Sequence, residues 1–118
     1  MSYDFAIWKR SATTKTAMLA DAYDAMCHER GHAAVDSFDV AELSRAIQAL
    51  YGGPAAQDAP FVLDGGSHDG SSWLIVNCTH PAASSVRDSI LDLVLSRGLL
   101  LYDPQRAVVW GNTRPAKN

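Results

Sequence analysis

The chain opens in strict alternation. Tyr3, Phe5 and Ile7 fall on one side of an extended backbone and Asp4, Ala6 and Trp8 on the other. Both sets are largely apolar, which predicts a first strand at least partly covered on both faces. The period then lengthens. Met18, Leu19, Ala22 and Met26 recur at three- and four-residue steps, predicting a helix capped by Thr13 or Thr14 and ended by Gly31, with Asp21, Asp24 and His28 on its outer side. Asp39 and Glu42 stand three apart like a capping box ahead of a second stripe, Val40, Leu43, Ile47 and Leu50. Gly52-Gly53-Pro54 is the natural stop.

Two β-favouring runs follow, "PFVLDG" and "SSWLIVNCT", joined by the glycine-rich "DGGSHDGSS". This predicts a hairpin with a long, mobile connection. Pro81 suits the first turn of a third helix, with Val86, Ile90, Leu93 and Val94 inside, Arg87, Asp88 and Asp92 outside, and Gly98 closing it. The last strands, "LLLYD" and "RAVVWG", flank the turn residues Asp103-Pro104-Gln105-Arg106. There Asp103 can accept hydrogen bonds from the backbone two residues on, and Pro104 presets its φ.

The order is strand, helix, helix, strand, strand, helix, strand, strand. Trp73 to Thr79 and Leu99 to Tyr102 flank the third helix, so a parallel crossover in a mixed, mostly antiparallel sheet is expected. The fold class is α+β, a two-layer sandwich of about five strands and three helices. Residues 1–113 read as one domain and 114–118 as a polar tail.

Composition agrees with a chain that folds: 47% of the 118 residues are hydrophobic and 19% charged, outside the signature of disorder. No run approaches the roughly 18 apolar residues needed to span a bilayer, and the start does not resemble a secretory signal, so no membrane partner and a cytoplasmic address are expected. Cys27 and Cys78 lie in apolar-looking segments and read as buried, reduced thiols.

The net charge of −3 is unevenly spread. Between residues 21 and 58, Asp21, Asp24, Glu29, Asp36, Asp39, Glu42 and Asp58 face only Arg30 and Arg45. Such a region repels nucleic acid and attracts basic proteins. Lys9, Arg10 and Lys15 form a small basic patch with no nucleic-acid motif around it, which reads as solvated surface.

Candidate chemistry is sparse. The glycine-rich segment 64–72 could bring backbone amides to an anion, yet it lacks the lysine and the following helix of a phosphate loop. Ser67-His68-Asp69 has the letters of a catalytic triad, but consecutive side chains diverge. Cys27, His28, His32, Cys78 and His80 are poorly spaced for a metal, and no metal or cofactor is expected. Trp8, Trp73 and Trp110 each sit in a predicted strand and read as core. Asp21, Asp24 and His28, with Asp36, Asp39 and Glu42 nearby and His68 and Asp69 in the loop, are the candidate contacts for a partner.

Tyr3, Asp4 and Trp8 at the start and Gly98, Leu99, Tyr102, Asp103, Pro104 and Gln105 near the end make the chain resemble the small immunity proteins of bacterial contact-dependent inhibition and other polymorphic toxin systems. The likeness covers the two ends, and residues 11–72 only in element order. It implies a cytoplasmic, non-enzymatic protein that binds the toxic C-terminal domain of a cognate effector, often a nuclease and therefore basic. The alternative is a small-ligand-binding or enzymatic α+β domain that uses segment 64–72.

Overall fold

A computed structural model describes residues 2–11, 16–51, 61–68 and 71–111. The elements are β1 (Ser2–Arg10), α1 (Leu19–Cys27), β2 (Val35–Asp36), α2 (Val40–Ala49), β3 (Phe61–His68), β4 (Ser71–Thr79), α3 (Ala83–Ser96), β5 (Leu100–Asp103) and β6 (Val108–Trp110). The α+β class and the element order are as expected, apart from the added two-residue β2. Among the described residues no helix is long and apolar enough to cross a membrane.

The sheet runs β3-β4-β1-β5-β6, with β2 paired to the end of β1, and the paired neighbours are all antiparallel. Since β4 and β5 both run opposite to β1, they are parallel to each other, but β1 lies between them. The expected crossover therefore exists in direction, and α3 carries the chain past a strand instead of to an adjacent one. β1 takes the centre because it is apolar on both sides: Phe5, Ala6, Ile7 and Trp8 are all buried.

That double burial builds three layers where two were expected. Tyr3, Phe5 and Ile7, with Leu74, Val76 and Leu101, pack against Leu43 and Ile47 of α2 and Val86, Ile90 and Val94 of α3. Ala6, Trp8, Trp73, Leu100 and Tyr102 pack on the other face against Leu19, Ala22 and Met26 of α1. Trp8 and Trp73 are core, as expected, while Trp110 is half-buried beneath the Arg87 guanidinium, 5.4 Å from the ring centre. Leu50, expected on the buried stripe of α2, lies past the helix and is half-exposed.

The two longer-range helix ends share one device. At α3, Leu99 N–H donates to Val94 and Gly98 N–H to Leu95, with Gly98 at φ 70°. At α1, Arg30 N–H donates to Ala25 and Glu29 N–H to Met26, with Glu29 at φ 54°. Both are Schellman closures. Glu29, not the predicted Gly31, takes the left-handed position. The Thr13 or Thr14 cap, the Gly52-Gly53-Pro54 stop and the tail 114–118 lie outside the described residues.

The glycine-rich segment corrects the sequence reading most. It is not a long loop: β3 and β4 stay paired through Gly65↔Leu74, Gly66↔Trp73, Ser67↔Ser72 and His68↔Ser71. A Cβ at Gly65 would come within 2.9 Å of Val40 Cγ1, so a glycine lets α2 approach the strand closely. Cys27 is a second correction. It is exposed near the end of α1, whereas Cys78 is buried as expected.

Candidate functional site

The acidic candidates do not form one face. Asp21, Asp24 and His28 line the outer side of α1 and its end, on one side of the sheet, while Asp39 and Glu42 open α2 on the other. Their local duties differ too. Asp39 Oδ1 accepts from Glu42 N–H at 3.0 Å and caps α2. Glu42 does not reach back to complete the capping box, because Arg97 grips both its oxygens at 2.7 Å. This hydrogen-bonded pairing holds the Glu42 carboxyl below the usual carboxylate range and raises the Arg97 guanidinium. Asp36 accepts from Ser37 N–H at 3.0 Å.

The α1 carboxylates are less committed. Asp21 meets His32 Nε2 at 2.9 Å and Asp24 meets Arg30 at 3.6 Å, and both side chains remain well exposed, at 78% and 62%. Exposed pairs of this kind are weak and easily exchanged for a partner's cations. His28 Nδ1 lies 2.9 Å from the Asp24 carbonyl oxygen. His68 lies in β3 opposite Ser71, and Asp69 falls outside the described residues.

Beside this acidic stripe lies a cleft of about 670 Å³ that no local pattern in the chain announces. Successive residues turn by about 100° on a helix, so Tyr23 and Cys27 occupy the stripe next to Asp24. They form one wall with Glu29, and β3 and β4 form the other with Val62, Leu63, Trp73 and Ile75. Val62 is 67% exposed. On the floor, Asp4 accepts from Asn77 Nδ2 at one oxygen and from the Tyr23 hydroxyl at the other, 3.2 Å away. Burial, reinforced by Cys27 and Asp4, pushes the Tyr23 phenol well above its ordinary value.

No protein-family model, curated protein or solved structure matches the chain. The segments around Tyr3 and Asp103 meet in space. The Tyr3 hydroxyl donates to Asp103 Oδ2, Gln105 N–H and Arg106 N–H donate to Asp103 Oδ1 at 3.0 and 3.1 Å, and the Gln105 amide closes the clasp. Gln105 Nε2 donates to the Asp4 carbonyl and Gln105 Oε1 accepts from Asp4 N–H, both at 2.9 Å. Asp103 is 1% exposed, so these donors stabilise a buried carboxylate and fasten the β5–β6 turn to β1.

Neither earlier chemical alternative gains geometry. Residues 64–68 and 71–72 are paired strand where a long, mobile hairpin connection was expected. Cys27 stands on the α1 side of the sheet and Cys78 in the core beneath α2 and α3. Among the described residues no group of three or more His, Cys, Asp or Glu side chains could hold a metal ion.

Proposed function

We propose that this chain is an immunity-type inhibitor that binds a basic toxin domain through α1 and the adjoining cleft.

 The inhibitor acts in the cytoplasm and neutralises a nuclease by covering its active site or substrate path, without catalysis of its own. The observation that supports this best is the exposed trio Asp21, Asp24 and Glu29 beside a cleft whose strand wall is apolar. A nuclease must attract phosphates and is basic for that reason, so its cationic rim would meet carboxylates while an apolar side chain fills the cleft next to Val62. Complementary charge of this kind steers association and excludes wrong partners.

The test is a search of the neighbouring genes for a large toxin-like effector and co-expression with that effector's C-terminal domain. Cells survive and the two proteins co-purify if the reading holds. Death of the cells, together with no complex between the purified proteins, overturns it.

A further inference from the structure

A second cavity, of about 400 Å³, lies on the α2–α3 side of the sheet between the start of α3 and the β5–β6 turn. Its chemistry is opposite to that of the α1 cleft. Arg87, Arg106 and His80 line it together with the Ser84 hydroxyl, and no carboxylate is among the lining residues. In a chain of net charge −3 this is a local reversal of sign.

The two arginines converge from different elements, one from α3 and one from the turn. Arg87 is braced: its guanidinium lies over the Trp110 ring, and Nε and Nη2 both donate to Asp88 Oδ1, at 3.0 and 2.8 Å. Nη1 has no partner among the described residues. Arg106 is exposed, and its guanidinium has no carboxylate partner among the described residues. Both line the same cavity as Tyr3. Tyr3, Phe5 and His80 supply an aromatic wall, with the Tyr3 and His80 rings 5.3 Å apart and edge-on.

We propose that this cavity binds a small phosphate monoester, with Arg87 and Arg106 on the phosphate and the Tyr3–Phe5–His80 wall against its organic part. Guanidinium groups match phosphate oxygens in pairs, and an aromatic wall favours a flat organic group over a bare ion. The volume lies within the range of small-molecule sites. The site is independent of toxin binding, since it faces away from α1.

Calorimetric titration of the whole chain with adenosine monophosphate and with inorganic phosphate tests it. Adenosine monophosphate is expected to saturate with a Kd below about 1 mM, inorganic phosphate to bind about ten-fold more weakly, and Arg106→Ala to weaken both by about ten-fold. Arg106 is an exposed turn residue, and an unchanged melting curve of Arg106→Ala certifies its fold. Arg87→Met provides the second variant, with the same loss expected. No saturable binding by about 10 mM, or binding indifferent to Arg106→Ala, overturns the proposal. Tighter, Arg106-dependent binding of a polyglutamate peptide also overturns it, assigning the cavity to a protein carboxylate.

Discussion

The Tyr3 hydroxyl donates to Asp103 Oδ2 at 2.5 Å, joining residues 100 apart in the chain inside a buried contact. Tyr3→Phe removes that donor and keeps the ring. A loss of about 1–3 kcal/mol is expected, because a buried carboxylate oxygen is left short of a partner. Urea unfolding reads it as a lower midpoint at unchanged slope.

The same contact sets an alkaline limit. Burial, then the hydrogen bond to Asp103, raises the Tyr3 phenol above its ordinary value, and burial raises Tyr102 and Tyr23 likewise. A group whose folded value is raised contributes stability in full below its unfolded value, about 10 for tyrosine, and loses it as pH climbs toward the folded one. Stability is therefore expected to be flat through neutrality and to fall above about pH 10, less steeply in Tyr3→Phe. Urea midpoints measured across that range decide it.

Glu42 works in the opposite direction. Its hydrogen bonds to Arg97 lower its carboxyl, so the pair's contribution is present above the unfolded carboxylate range and is lost as pH falls through the folded value. Arg97→Met is expected to flatten that acid-side loss. Raised salt is expected to do the same in part, since both side chains are partly exposed.

Glu29 occupies a left-handed position that Gly98 occupies in the equivalent turn. Glu29→Gly is expected to raise stability by about 1 kcal/mol by relieving that backbone cost, and Gly98→Ala to lower it by a similar amount. Thermal melts of the two variants, run together, show opposite shifts.

Charge reversal tests the proposed docking surface. Asp21→Lys with Asp24→Lys is expected to slow association with the toxin domain by about ten-fold or more at low salt, with dissociation changed less. Stopped-flow rates over a salt series read the effect, and a salt-insensitive rate for the unmutated protein counts against α1 as the docking surface.

What the sequence made legible was local. The Asp39 cap and the Asp103 turn could be read because donor and acceptor lie within three residues of each other. Glu42 looked like the second half of a capping box, and its actual partner, Arg97, lies 55 residues away. The split of the acidic residues between two faces followed from the same gap: spacing along helices cannot tell on which side of a sheet each helix lands. Gly65 was read as part of a mobile connection, and what it answers is the close approach of Val40. The α1 cleft and the basic cavity each combine residues from distant segments, beyond the reach of any local pattern.

The central place of β1 has a consequence for synthesis. Its nine residues leave the ribosome before either long-range strand that will flank them, and β5 follows only after β4 and α3. Pairings of such long sequence separation form slowly. β1 thus waits for its two long-range neighbours while the segments between are made, and the sheet closes only once β5 has followed.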